Sequence, residues 1–427
     1  MTAMRSILYL AHRLPYPPNK GDKLRSFNCL RYLAKRHRVF LATFVDSAAD
    51  RAYVSALQQF CAGHCVVPLW SPAARLRSLT ALVTGEPLTT RYYRSAKLKR
   101  WIDATLRAER IDTAVVFCSA MAQYIDDIPN LRVIADFVDV DSAKWAEYAD
   151  LSRWPVSWLY RREAKNLLAF ERMAAARSSK VLFVTQAEAE LFRTLAPECA
   201  NQIEVSSNGV DAAYFDPEQD CASPYRSDEI PIVFTGAMDY RPNVQAVRWF
   251  VSEVLPALAA YWPNVRFHIV GSRPVSKVTA LRATNVVISA DVPDIRPYMR
   301  HASVAVAPLK VARGVQNKIL EAMAMARPVV ASNACVAALG AMPGRDLHAA
   351  GSAREFVEKI NLLLTDIGHA KAMGVSARQY VLTEHDWATN LALIDRYVDR
   401  SDTAARGAAV LGSPFLEQSA GRVVADT

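Results

Sequence analysis

Residues 304–331 read VAVAPLKVARGVQNKILEAMAMARPVVA, an order of residue types that predicts a strand, a glycine-bearing loop and a short helix converging on one point. Residues 304–307 form a compact apolar run, Pro308 breaks it, and Gly314 stands where the chain must bend before a helix over 317–326. Free backbone N–H groups and the positive end of the helix dipole favour an anion there, and Lys318 adds a full charge in the first turn. Glu321 lies one turn further in, placed to reach past a phosphate towards a pair of sugar hydroxyls. A phosphate and a ribose held side by side amount to a nucleotide.

Outward from this stretch the same alternation repeats. Apolar runs at 7–10, 39–44, 66–69, 114–118, 132–137 and 181–184 are separated by longer amphipathic segments, and a second series occupies 232–235, 265–270, 286–289, 304–307 and 329–332. Buried runs alternating with helical stretches predict parallel sheets covered on both faces, hence an α/β fold of two doubly wound, Rossmann-like domains. Between the series, 208–230 holds Asn208-Gly209, Asp216-Pro217 and Ser223-Pro224 without periodicity and reads as the linker. The expected organisation is therefore a domain over 1–207, a linker over 208–230, a second domain over 231–383, and a mobile polar tail over 401–427. Helices are expected over 353–364, 369–381 and 387–397. Ligands of such sheets bind at the carboxyl ends of the strands, which puts the site in the cleft between the domains.

Length agrees, since 427 residues exceed one ordinary core and divide into two domains of about 200 residues each. No run approaches the roughly 18 apolar residues of a membrane-crossing helix. The apolar run after Arg5 is too short for a secretory signal and no small-residue cleavage site follows, so a cytoplasmic location is expected. Seven scattered cysteines argue against a disulfide framework, and Cys61, His64 and Cys65 lack a second pair at zinc-ligand spacing. Charge is unevenly spread: residues 1–112 carry a net +12 and the remainder a net −3. Within 75–110, Leu76, Leu79, Leu82, Tyr92, Tyr93, Leu98 and Trp101 are interleaved with arginines and lysines. Two readings stand for that segment, a face resting on an anionic membrane and a solvated helical face. No nucleic-acid-binding motif accompanies the charge, so nucleic acid is not an expected partner.

KILEAMAMARPVV resembles the signature helix of family-4 retaining glycosyltransferases of the GT-B fold, and the resemblance runs in order from residue 5 to 400. It includes PPNKGDKLRSFN near the N-terminus, NGVD at Asn208, TGAMDYRPN from Thr235, IVG ending at Gly271 and ADVPDI from Ala290. With DFVDVDSAKW from Asp136, the chain is most similar to a sugar transferase subfamily associated with exopolysaccharide loci of exosortase-type (PEP-CTERM) sorting systems. The resemblance implies a nucleotide diphosphate sugar as donor, a lipid-linked glycan as acceptor, no metal, and a C-terminal helix near 384–400 that crosses back to the first domain. It implies that Gly236, Arg241, Gly314, Asn317 and Lys318 hold the donor diphosphate, that Gly271, Val292 and Glu321 receive base and ribose, and that Gly21, Asp22 and Arg25 form a loop facing diphosphate and acceptor.

Two departures from the family pattern stand out. A second glutamate usually precedes the ribose glutamate by eight positions, where this chain has Arg313, which fits a clamp on the diphosphate or on a sugar carboxylate, or else lost activity. Relatives often carry a histidine near the strand end at which this chain has Val138 and Asp139. Asp136, Asp139 and Asp141 invite comparison with a magnesium site, but Asp139 and Asp141 are read as acceptor-side groups, with Asp139 orienting the acceptor hydroxyl or taking its proton. The alternatives are a nucleotide-sugar 2-epimerase of the same fold, which calls for more carboxylates and histidines in the cleft, and a degenerate nucleotide- or glycan-binding scaffold. Location follows the acceptor: cytoplasmic, or peripheral on the inner face of the cytoplasmic membrane.

Overall fold

The computed structural model describes residues 4–18, 21–310, 312 and 314–398. Arg313 and the 401–427 tail lie outside the described residues.

The apolar runs form two wholly parallel sheets. In the first lobe the strands are β1 (Ser6–Ala11), β2 (Arg38–Val45), β3 (Gly63–Pro68), β4 (Thr113–Phe117), β5 (Arg132–Val138), β6 (Lys180–Phe183) and β7 (Ile203–Val205), in the spatial order β3-β2-β1-β4-β5-β6-β7. In the second they are β8 (Ile230–Thr235), β9 (Val265–Gly271), β10 (Val286–Ala290), β11 (Val304–Ala307), β12 (Val329–Ser332) and β13 (His348–Ala350), ordered β10-β9-β8-β11-β12-β13. The period of two explains the layers: Ile7, Tyr9 and Ala11 enter one core on β1, while Leu8 and Leu10 enter another on the opposite face. Helices cover both faces, so the fold is GT-B-like, two Rossmann-like lobes.

The last helix, Trp387–Val398, does not stay with the second lobe. Trp387, Leu391, Ile394 and Val398, spaced on one helical stripe, complete the first-lobe core beside Ile7 and Tyr9. The chain therefore crosses between lobes twice, at 206–210 and 385–387, and the crossings touch: the Val210 amide donates to the His385 carbonyl at 2.8 Å. A Cβ on Gly209 would lie 2.7 Å from the Trp387 amide nitrogen.

The 75–110 segment does not act as one surface. Leu98 is fully buried, and Tyr92, Tyr93 and Trp101 pack against the first-lobe core, whereas Leu76, Leu79 and Leu82 face outward. Among the described residues no helix is long and apolar enough to cross a membrane.

Candidate functional site

Each sheet reverses its order once, between β1 and β4 and between β8 and β11. A crevice opens outside the carboxyl ends of strands at such a reversal. The loops leaving β1, β8 and β11 carry Gly21, Gly236 and Gly314, so all three glycines lie at those crevices.

The helix Asn317–Ala324 begins without a side-chain cap. Its first-turn lysine is folded inward: Lys318 Nζ lies 4.3 Å from the centre of the Phe234 ring and donates to Asn243 Oδ1 at 2.6 Å. Burial lowers its pKa to about 8. One turn on, burial raises the Glu321 carboxyl to about 7, against the attraction of Lys318. No described group hydrogen-bonds the Glu321 carboxylate. The ammonium is thus held by a ring face and a neutral amide, with no counter-ion at bonding distance among the described residues, and one turn away stands a half-buried carboxylate with no hydrogen-bond partner among them. An anion bearing a hydroxylated appendage satisfies both.

Glycines close the second-lobe side. Gly236 has φ +151°, and a Cβ there would meet Asn243 Nδ2 at 2.7 Å and Lys318 Nζ at 3.4 Å. Gly271 has φ +153°, and its Cβ would fall 1.7 Å from the Gly236 carbonyl oxygen. These glycines let the ends of β8 and β9 close over the lysine. Gly271→Ala is expected to cost about 2–4 kcal/mol of second-lobe stability and to displace the Gly236 loop. A calorimetric scan checks this; an unchanged melting profile refutes it. Val292 is half-buried against the second-lobe core just beyond β10, and Arg241 is exposed at the start of the Arg241–Trp249 helix, bonded to no described residue.

The first lobe meets this group from the other side. A Cβ on Gly21 would lie 3.8 Å from Asn317 Nδ2, and one on Gly314 would lie 3.4 Å from Asp139 Oδ1. Asp139 Oδ2 accepts from Lys144 at 2.7 Å, while Oδ1 is buried with no partner among the described residues. Despite burial, the pull of Asp141 and Asp139 holds the Lys144 ammonium above the usual lysine range. Asp141 also binds Lys144, at 3.2 Å, so that ammonium occupies the place between the two carboxylates. Val138 reaches φ +70° at a register shift in β5, and this backbone distortion precedes Asp139. Asp22 lies 3.4 Å from His12 and 3.0 Å from Arg13; though burial opposes its charge, the His12 ring and the Arg13 guanidinium hold it well below the carboxylate range.

Arg25 and Asp136 correct the sequence reading. Arg25 is 1% exposed and donates from Nε to Asp136 Oδ2 at 2.8 Å, and from Nη1 to the Ser207 carbonyl and Asn208 Oδ1, each at 3.3 Å. It faces the interior and the lobe crossing, because a carboxylate at 0% exposure needs a cation, and its Nη2 has no partner among the described residues. Asp136 is committed to Arg25 through Oδ2, while its buried Oδ1 has no partner among the described residues. Asn208 reaches on to Asn317 Oδ1 at 3.4 Å, tying the crossing to the helix that carries Lys318. Arg313 lies outside the described residues.

Sequence reasoning missed Asn243, Asn208, His12 and Lys144. Asn243 stands two residues after Arg241, and its signal was the asparagine ending TGAMDYRPN; residues two apart on a helix point to different sides. His12 stands directly after β1, a position that itself marks the carboxyl end of a strand.

Residues 229–366, the span that holds Gly236, Gly271, Lys318 and Glu321, match the family model described as Glycosyl transferases group 1. The fold is similar to that of Alr3699/HepE from Anabaena, solved with UDP and glucose, at a TM-score of 0.67 and 17% identity over 93% of this chain and 100% of that one. It is similar to sucrose-phosphate synthase from Thermosynechococcus elongatus at 0.68 and 15%, covering 94% and 100%, and to a glycosyltransferase from Rickettsia africae at 0.66 and 14%, covering 94% and 100%. Comparison with curated proteins gives no match. Fold and matched domain together define a glycosyltransferase of the GT-B fold. At finer grain, residues 229–366 of the second lobe are what matches the group 1 glycosyl transferases model, and the first lobe lies outside the matched span.

Proposed function

We propose that the chain moves a sugar, with retention of anomeric configuration, from a nucleoside-diphosphate donor to a lipid-linked glycan in exopolysaccharide assembly, without a metal. The observation that carries the donor half is the Lys318 ammonium, without a counter-ion at bonding distance among the described residues, one turn before the Glu321 carboxylate, which has no hydrogen-bond partner among them. The diphosphate sits against Lys318, the Gly314–Asn317 amides and the Gly236 loop, where charge accumulates as its bond to the sugar breaks. Glu321 accepts from the ribose hydroxyls, and the base lies by Gly271 and Val292. Arg241, exposed at the same crevice, closes on the diphosphate only when the donor is present, and Arg313 adds to that clamp. Asp139 faces the Gly314 loop from the opposite lobe and orients the acceptor hydroxyl or takes its proton as the new glycosidic bond forms. Gly21 and Asp22 line the acceptor side. Retention, the lipid-linked acceptor and the exopolysaccharide role rest on the resemblance of the sequence motifs, and the basic excess of the first lobe supports a place on the inner face of the cytoplasmic membrane.

Incubation with UDP- and GDP-sugars and a membrane extract tests the reading by released nucleotide. A UDP-sugar is the first to try, given the UDP in a neighbour of like fold. Acceptor-dependent release is expected. Thermal stabilisation by nucleoside diphosphate without release with any donor would instead make the chain a binding scaffold. Glu321→Ala is expected to weaken nucleoside diphosphate about tenfold or more while leaving pyrophosphate affinity unchanged, because only the ribose contact is lost. Isothermal titration with both ligands decides, and an equal loss for the two would contradict the ribose role.

A further inference from the structure

The outward apolar side chains of the first lobe continue onto a part of the chain that the basic 75–110 segment does not include. On the Ser71–Ser78 helix and the turn after it, Leu76, Leu79, Leu82 and Val83 point to solvent, Val83 at 92% exposure. Trp158, 54% exposed on the Val156–Arg177 helix, lines one groove with Leu82 and Val83, and Trp154, 81% exposed, lies just before that helix begins. Large aromatic side chains left in water next to exposed leucine and valine make a patch, not a scatter.

The patch is built on a rigid base. Glu163, fully buried, accepts from the Leu88 amide at 2.6 Å and from the Thr89 amide and hydroxyl at 2.9 and 2.7 Å. Arg162 donates to the carbonyls of Ala81 and Glu86, and Asn166 to that of Gly85 at 3.0 Å. The turn is thereby fastened to the long helix with Leu82 and Val83 facing out, and a groove of about 470 Å³ opens between them, lined by Trp158, Arg161 and Lys165. The segments that carry the patch are basic, with Glu86 and Asp150 at their flanks. Residues 71–85 and 151–162 contain no Asp or Glu, but include Arg75, Arg77, Arg153, Arg161 and Arg162. Among the described residues Arg161 pairs with Asp150 alone, at 3.9 Å between two exposed side chains, and Lys165 makes no ion pair.

We propose that this face docks on a bilayer containing anionic phospholipid, with Trp154, Trp158, Leu82 and Val83 entering the interfacial layer and a lipid phosphate seated in the groove against Arg161 and Lys165. Tryptophan suits the headgroup boundary because its ring is apolar and its N–H is polar, while fixed cations around it favour an anionic surface. The proposal deepens the reading of a lipid-linked acceptor, since it gives the first lobe a fixed attitude to the membrane that carries it. It also departs from that reading in detail: the contact residues are those of 76–83 and 154–165, not the inward Tyr92, Leu98 and Trp101.

Flotation of the full chain with phosphatidylcholine vesicles, with and without phosphatidylglycerol, tests it. Binding is expected only with phosphatidylglycerol and should weaken as salt is added. The pair Trp154→Ala, Trp158→Ala and the pair Arg161→Glu, Lys165→Glu should each reduce partitioning about tenfold or more, with the melting temperature unchanged because these side chains are exposed. The pair Arg100→Glu, Arg107→Glu makes the same charge change elsewhere on the lobe and should alter partitioning by only about twofold. Overturning results are no binding to phosphatidylglycerol vesicles, equal losses in the control pair, or a dimer abolished by the tryptophan substitutions, which would assign the face to a second copy. Nucleotide release from a donor sugar is measured separately: release without vesicle binding defeats only the docking face, and vesicle binding without release or nucleotide affinity defeats only the transferase reading.

Discussion

Lys318→Ala is expected to lower turnover of the donor sugar by about 10²–10³-fold and to remove the thermal stabilisation given by nucleoside diphosphate. The ammonium stands over the Phe234 ring and holds one hydrogen bond to Asn243, so it is the full charge already fixed at the helix start to meet a leaving diphosphate. Alanine also removes the packed stem and strands Asn243 Oδ1, so Lys318→Met, which keeps the stem, separates the two effects. Methionine should retain most of the ligand-free stability and still lose the ligand-induced shift. The pH dependence carries the sign. Burial brings Lys318 to about 8, and a diphosphate binds its protonated form, so affinity is full below that value and falls as pH rises through it, by up to about tenfold per unit. Glu321, raised by burial to about 7, accepts ribose hydroxyls as a carboxylate, so affinity also declines as pH drops below that value. A narrow maximum between the two is expected, with the alkaline limb missing in Lys318→Met and the acidic limb missing in Glu321→Gln. Titration calorimetry across pH reads both limbs. A full stabilisation shift in Lys318→Ala would defeat the phosphate site.

How far the sequence discloses this molecule depends on how local the cause is. The strands of both sheets are legible because central parallel strands are buried on both faces and appear as short β-branched runs, such as Val304–Ala307 and Val329–Ser332. β7 and β13, three residues each at sheet edges, leave too short a run to register, and β3 begins at Gly63 rather than 66 because its outer half is polar and partly exposed. The Gly314 bend, Lys318 and Glu321 are legible for the same reason, since one loop and one helical turn position all three. Contacts across the chain are not. Asn243 meets Lys318 only because β8 and β11 are neighbours, and a helix presents Arg241 outward two residues before it turns Asn243 inward. The basic segment 75–110 has one composition throughout, yet its halves face opposite ways, which only the fold decides.

Arg25 is the sharpest instance, and Arg25→Ala is expected to destabilise the first lobe by about 3–5 kcal/mol. Its position beside Gly21, at the start of a helix after β1, reads as a ligand-facing cation; its partner Asp136 is 111 residues away. With the guanidinium gone, Asp136 keeps a carboxyl at zero exposure whose pKa burial already pushes up against the pull of Arg25. A carboxyl with a raised folded-state pKa favours folding below its unfolded value of about 3.9 and loses that contribution as pH rises. The deficit of Arg25→Ala relative to the parent should therefore be smallest in acid and grow towards neutral pH. Arg25→Met combined with Asp136→Leu fills the space without charge and should recover most of the loss, because the pair's desolvation disappears along with its attraction. Urea unfolding of the parent, both single variants and the double variant gives the cycle. The same substitution discriminates between roles: a phosphate-binding arginine would leave the unfolding midpoint untouched and lower nucleotide affinity alone. A structural arginine lowers the midpoint first, and any loss of affinity follows through Asn208, whose amide links the lobe crossing to Asn317 and so to the turn that carries Lys318.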